Sequence, residues 1–111
     1  MIINCNGNDS CNAVTINCVN DTNCSILCYG PNSCQNLKVN GANQANLIIE
    51  CGENGGVASG YCVNSTFDGK SSASLSVKEC TGSNSCLGIT MHCPQQTINI
   101  NDCAFDGMYT F

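Results

Sequence analysis

Twelve cysteines stand in a chain of 111 residues, and three chemistries are open to them: disulfide cross-linking, metal–thiolate ligation and thiol reactivity. The short spacings are C-x5-C, as in Cys5 and Cys11, Cys28 and Cys34, or Cys80 and Cys86. They lack the C-x2–4-C knuckle of zinc modules, and His92, beside Cys93, is the single histidine that could complete a mixed site. Disulfides are the expected use, and an even number of cysteines permits six of them. Bridges of this kind persist in oxidising compartments, so the chain is expected to be secreted, extracellular or at a cell surface.

Oxygen chemistry is sparser. Glu50, Glu79 and Asp102 each stand just before a cysteine that opens a repeated unit, so on stacked coils they would form a column of like charge. A hard divalent cation such as calcium would relieve that repulsion, although solvent screening does the same, and no other cofactor is expected. Asp68 and His92 fall at equivalent outward positions one unit apart, yet no nucleophile–base pair can be named, and no enzymatic activity is expected. Four N-x-S/T triplets, at Asn8, Asn20, Asn23 and Asn64, are candidate glycosylation sites. A chain with seventeen Asn and many Ser and Thr also generates such triplets by chance.

These residues need a frame, and the cysteine spacing supplies one. Cys5, Cys28 and Cys51 lie 23 residues apart, Cys80 follows after 29, and Cys103 after another 23. A second cysteine follows six positions later at Cys11, Cys34 and Cys86; in the third unit it is delayed to Cys62 by five extra residues within GENGGVASGY. One further residue in that unit's tail completes the difference. Seven positions on, every unit carries a third marker: Cys18, Gly41, Gly69 and Cys93. The coils are therefore set at approximately 5–27, 28–50, 51–79 and 80–102, with the start of a fifth at 103–111, in a single domain spanning 1–111.

Between the second and third markers the units read NAVTIN, QNLKVN, VNSTFD and LGITMH, each with the alternation of a half-buried strand. Val14, Leu37, Ser65 and Ile89 form one inward column, and Ile16, Val39, Phe67 and Met91 a second. Thr15, Lys38, Thr66 and Thr90 face outward between them. A second strand precedes each opening cysteine, in SIL, LIIE, LSVKE and ININD, with Ile2-Ile3 entering the first unit. Two strands per 23 residues with Gly- and Asn-rich corners predict an all-β, disulfide-rich parallel β-helix, or β-solenoid, of about four coils. Asn suits this fold because it tolerates left-handed corners and its amide can bond to the neighbouring coil in a ladder. A leucine-rich repeat would need spaced leucines and a helical stretch, and an EGF-like or knottin scaffold would not repeat paired strands at this period.

The motif C-x-G-x-x-S-C, in CNGNDSC, CYGPNSC and CTGSNSC, with CVNDTNC as a half-match, resembles the cysteine-rich parallel β-helix repeats of extracellular and surface proteins of unicellular eukaryotes. Some members of that group build fibrous cell-surface appendages, and such arrays run to many more coils than four. The resemblance spans nearly the whole chain. It implies an architecture, and a structural role as an expectation.

Geometry ranks the pairings. The C-x5-C spans enclose turn-like sequences, and the third tolerates an insertion, as a bridge at the base of an outward loop would. This favours Cys5–Cys11, Cys18–Cys24, Cys28–Cys34, Cys51–Cys62, Cys80–Cys86 and Cys93–Cys103. Bridges between adjacent coils are the alternative, since stacked strands lie about 4.8 Å apart.

Charge and ends complete the reading. Eight Asp and Glu against three Lys, with no Arg, give a net charge of −5 and leave little to neutralise phosphates, which sets nucleic acid aside. The longest aliphatic run, Leu47-Ile48-Ile49, is far short of the ~20 residues of a membrane span. No secretion leader opens the chain, so export implies a processed leader or a segment of a longer polypeptide. Without capping elements the coil edges should recruit partners, through head-to-tail self-association or continuation of the chain. The expected function is a structural extracellular repeat protein, a subunit or segment of a filament or appendage. The alternative is an ice- or carbohydrate-binding module using the Thr15, Thr66 and Thr90 face, although Lys38 interrupts that column.

Overall fold

The computed structural model describes residues 1–20, 22–52, 60–80, 84–95 and 102–107, with backbone alone for 106 and 107. It is a parallel β-solenoid with two sheets and no α-helix among the described residues. The first sheet stacks β1 (Ile2–Cys5), β3 (Cys24–Cys28), β5 (Asn46–Cys51), β7 (Ser74–Cys80) and β9 (Cys103–Gly107) in that order. The second stacks β2 (Thr15–Asn17), β4 (Lys38–Asn40), β6 (Thr66–Asp68) and β8 (Thr90–His92). Every pairing joins one coil to the next.

Register converts the repeat into a core. Ile3, Ile26, Ile49, Val77 and Phe105 form one inward column of the first sheet, and Ile16, Val39, Phe67 and Met91 one of the second. Within the stack these side chains are sealed: Ile26, Ile49, Val77, Val39 and Phe67 are all 0% exposed. Each contributes about 1.5–3 kcal/mol by leaving water. Leu37 and Ser65 are buried in the adjoining column, whereas Val14, at the same position in the first coil, is 41% exposed because no coil lies beneath it. Ser65 is accommodated by donating to the Cys34 carbonyl and accepting from the Leu37 N–H.

All twelve cysteines are bridged, as Cys5–Cys11, Cys18–Cys24, Cys28–Cys34, Cys51–Cys62, Cys80–Cys86 and Cys93–Cys103, with Cα–Cα distances of 5.5–6.0 Å. Closing loops of this size contributes about 2–3 kcal/mol each. Much of that offsets unusual backbone. The corner between the sheets takes left-handed φ at every second residue: Asp9, Cys11 and Ala13; Asn32, Cys34 and Asn36; Gly60, Cys62 and Asn64; Asn84, Cys86 and Gly88. Asn and Gly adopt this region at small cost, but the cysteine at the centre of each corner carries a Cβ penalty of about 1–2 kcal/mol. Its bridge to the preceding strand holds it there.

The motif glycine has a steric cause. A Cβ on Gly30 would lie 2.5 Å from the Gly7 carbonyl carbon and 2.7 Å from the Asn6 oxygen, and closer still to the Gly7 oxygen. Corner backbones stack too closely for a side chain there.

Asparagine amides tie successive coils. Asn40 Nδ2 donates to Asn17 Oδ1 at 2.8 Å. The Oδ1 atoms of Asn12, Asn20 and Asn23 accept the N–H groups of Gln35, Asn43 and Asn46.

Two expectations about register need correction. Cys103 does not open a fifth coil: it pairs with Leu75, in the column of Cys24 and Leu47, and the position equivalent to Cys80 falls at Gly107. Cys93–Cys103 is thus the counterpart of Cys18–Cys24, but with a separation of 10 instead of 6. Strand β9 takes the register place that the repeat gives to ININD, of which 98–101 lie outside the described residues. The second correction concerns Glu79. From Leu75 to Cys80 there is one residue more than from Leu47 to Cys51, and the register shifts between Val77 and Cys80. Glu79, with φ 60°, is the bulged residue.

Candidate functional site

The outward face of the second sheet places Thr15, Lys38, Thr66 and Thr90 in one column, in register from strand to strand. Thr15, Lys38 and Thr90 are exposed and Thr66 is half-buried. A lysine between Thr15 and Thr66 breaks the threonine row and puts a mobile cation at its centre. The next outward column holds Asn17, Asn40, Asp68 and His92. Asp68 is committed to its own turn, accepting the Lys70 N–H at 3.1 Å and lying 3.8 Å from Lys70 Nζ. The column brings Asp68 and His92 side by side but adds no nucleophile to them.

The three carboxylates do not stack. Glu50 faces Lys78 across β5 and β7, and its Oε1 accepts the Tyr29 hydroxyl at 3.1 Å. Glu79 sits in the bulge, and Asp102 immediately precedes β9. The extra residue in β7 moved lysine into the place that cysteine-based alignment gives to Glu79. In the described register Glu50 thus stands opposite a lysine and not opposite Glu79.

All four sequon asparagines, Asn8, Asn20, Asn23 and Asn64, are exposed. Asn20 and Asn23 use Oδ1 in the inter-coil ladder, accepting the Asn43 and Asn46 N–H groups, and glycosylation would modify the other amide atom, Nδ2. Sulfur atoms also cluster, Cys5, Cys11 and Cys34 in one group and Cys51, Cys80 and Cys86 in another, each within 4.8 Å. Every one of these sulfurs is already in a disulfide, so neither group offers a thiolate to a metal.

Two further features stand out, one not foreseen from the sequence and one that bears on the open coil edges expected from it. The first is a polar recess of about 320 Å³ lined by Asn43, Gln44, Lys70, Ser71, Ser72 and Gln95. It lies on the corner where the second and third coils carry Gly41 and Gly69, between corners closed by Cys18–Cys24 and Cys93–Cys103. The replacement of cysteine by glycine at the third marker was its only trace in the sequence. Amides, hydroxyls and one cation equip it to exchange hydrogen bonds with small hydroxylated molecules.

The second is the state of the ends. Phe105 belongs to the column of Ile26, Ile49 and Val77, all fully buried, yet is 41% exposed. At the other end of that column Ile3 is half-buried, while Val14, in the column of Leu37 and Ser65, is 41% exposed and Ile2, on the edge strand, 69% exposed. The edges themselves are β1 and β2 at one end and β8 and β9 at the other. No helix among the described residues is long and apolar enough to cross a membrane. The chain is a cysteine-rich parallel β-solenoid of about four turns, and comparison with known proteins finds no matching family model, curated protein or solved structure.

Proposed function

We propose that this chain is a non-enzymatic structural protein of the extracellular or cell-surface space, and that its solenoids stack head to tail into a filament or appendage. The observation that carries this reading is the uncovered core at both ends. Columns that are fully buried through the middle of the stack reach Phe105 on one side, and an adjoining one Val14 on the other, both 41% exposed, and among the described residues β1, β2, β8 and β9 each have one neighbouring strand. Such edges are templates for further strands, and a heterologous contact that repeats without closing gives an open fibre.

The first sheet carries one strand more than the second. Among the described residues β9 therefore stands one level beyond β8, and an incoming copy would meet a strand in the first sheet before one in the second. Six disulfides fit an oxidising environment, and the exposed sequons fit a glycosylated surface. The resemblance of the C-x-G-x-x-S-C corners to surface proteins of unicellular eukaryotes points the same way.

Sedimentation velocity and negative-stain microscopy of non-reduced protein test the proposal. Elongated particles with a width of one solenoid and a length that grows with concentration are expected. Discrete monomers at millimolar concentration refute it.

A further inference from the structure

The polar recess after the third marker has a wall assembled from three coils: Asn43 and Gln44 from the second, Lys70, Ser71 and Ser72 from the third, and Gln95 from the fourth. Backbone bonds between coils pin it. Gln44 N–H donates to the Ser71 carbonyl at 3.3 Å, Gln95 N–H to the Lys70 carbonyl at 3.1 Å, and Gly41 N–H to the Asp68 carbonyl at 2.8 Å. Elsewhere asparagine amides are consumed by the neighbouring coil: the Oδ1 atoms of Asn12, Asn20 and Asn23 accept backbone N–H groups, and that of Asn46 accepts the Ser74 hydroxyl at 2.7 Å. At the recess the ladder stops. The side chains of Asn43, Gln44, Ser71 and Gln95 are exposed and make no hydrogen bond among the described residues.

Ser72 adds a buried group. Of the four buried hydroxyls without a partner, Ser10, Ser33, Ser72 and Ser85, Ser72 is the one in the wall of this recess, and it is 7% exposed. Its Oγ sits against Gly41, where a Cβ would run into it. Glycine at this marker, where the first coil has Cys18, leaves the space that the oxygen occupies. A buried unpaired hydroxyl costs stability, and one in the wall of an open recess can recover a partner from a molecule that enters.

The donor set selects the ligand. Three carboxamides and two hydroxyls offer both donors and acceptors, and Lys70 donors alone. A sugar hydroxyl is likewise donor and acceptor at once, so a ring bearing several of them matches this wall. An anion accepts only, and the single cation already lies 3.8 Å from Asp68 Oδ2 in a chain of net charge −5. A hard cation finds no carboxylate among the lining residues, and an apolar ligand would strip them of water without replacing its bonds. The volume, about 320 Å³, lies at the small end of the ~300–1,000 Å³ of small-molecule sites.

We infer that the recess is a binding site for one neutral monosaccharide unit, free or within a glycan, held by the Asn43, Gln44 and Gln95 amides and the Ser71 and Ser72 hydroxyls. It shares no residue with the threonine column and does not depend on head-to-tail stacking. No aromatic ring lines it, so hydrogen bonds alone set the affinity, at about 1–10 mM.

The test is a heteronuclear NMR titration of isotope-labelled protein with disulfides intact. The probes are glucose, galactose and N-acetylglucosamine, each as the free sugar and as its methyl β-glycoside, with sodium sulfate as the anion arm. At least one sugar should shift the side-chain amide resonances of Asn43, Gln44 and Gln95 and saturate at millimolar concentration. A site for a unit within a glycan takes the methyl glycoside as well; one for free sugars alone does not. Asn43→Ala and Gln95→Ala, which remove exposed side chains, should leave the remaining spectrum in place and weaken binding about two- to tenfold each. Ser72→Ala, which breaks no internal hydrogen bond, should weaken it by a similar factor. No saturable shift up to about 100 mM overturns the inference. So do shifts confined to the Thr15, Thr66 and Thr90 face, or binding that all three substitutions leave unchanged. Saturation by sulfate without a response to sugar, abolished in Lys70→Met, also overturns it and makes the recess an anion site.

Discussion

Substituting Gly30 by alanine isolates the closeness of corner stacking, because its φ is not left-handed and the penalty is one of contact alone. The added Cβ would lie 2.5 Å from the Gly7 carbonyl carbon and 2.7 Å from the Asn6 oxygen. Ordinary van der Waals separation requires the two coils to part by about 1 Å, since neither obstacle is a side chain that can rotate away. The coils are joined at this point by the N–H groups of Tyr29 and Gly30, both donating to the Cys5 carbonyl at 3.2 Å. Parting them forfeits two hydrogen bonds at about 0.5–1.5 kcal/mol each, with about 1–3 kcal/mol of overpacking where the corner cannot yield. Reduced freedom of the unfolded chain returns about 0.4–1 kcal/mol.

The net expectation is a loss of about 2–4 kcal/mol for Gly30→Ala. Gly7→Ala, the same change one coil earlier, should be neutral or stabilising by up to about 1 kcal/mol. Guanidinium unfolding of oxidised protein, followed by far-ultraviolet circular dichroism, measures both below the concentration of any assembly. Equal effects at the two positions, or a Gly30→Ala midpoint within error of wild type, would falsify the close-stacking argument.

Two further substitutions test the interior and the outward face. Ser65→Ala removes a hydroxyl that serves both the Cys34 carbonyl and the Leu37 N–H, and should cost about 1–3 kcal/mol in the same unfolding assay; Ser33→Ala, at a buried hydroxyl with no partner, should cost much less, and a reversed order would refute the assignment. Lys78→Glu places a second carboxylate opposite Glu50 and should destabilise by about 0.2–1 kcal/mol, with the loss shrinking in high salt; an effect that salt leaves unchanged would mean that the pair is not electrostatically coupled.

The fold was legible because its period is written in residues that cannot be exchanged freely. Cysteine at the first and second markers recurs with a fixed bridge, and at the second with a left-handed backbone, so spacing alone traces the repeat through the third coil. The alternating column Ile16-Val39-Phe67-Met91 was readable for the same reason. Register failed where one letter serves two structural positions. Cys103 looks like another Cys80 but is another Cys24, and only the pairing with Leu75 separates them. Glu79 failed for a related reason: the extra residue was visible, but counting back from Cys80 assigns the bulge to the wrong side chain.

The candidate sites were less legible because they depend on gaps and edges, which a linear pattern does not encode. The polar recess is lined by residues of three successive coils, Asn43 and Gln44, Lys70 to Ser72, and Gln95, which no single repeat unit shows together. Gly7 and Gly30 are indistinguishable as letters in one motif. Their environments are opposite, one open and one closed by backbone, and that difference is a property of position in the stack. In a repeat fold each coil inherits requirements set by its neighbours, so identical letters carry different costs from one coil to the next: the glycine that the corner above Asn6-Gly7 cannot do without is, at position 7 itself, free of any contact nearer than Ser10.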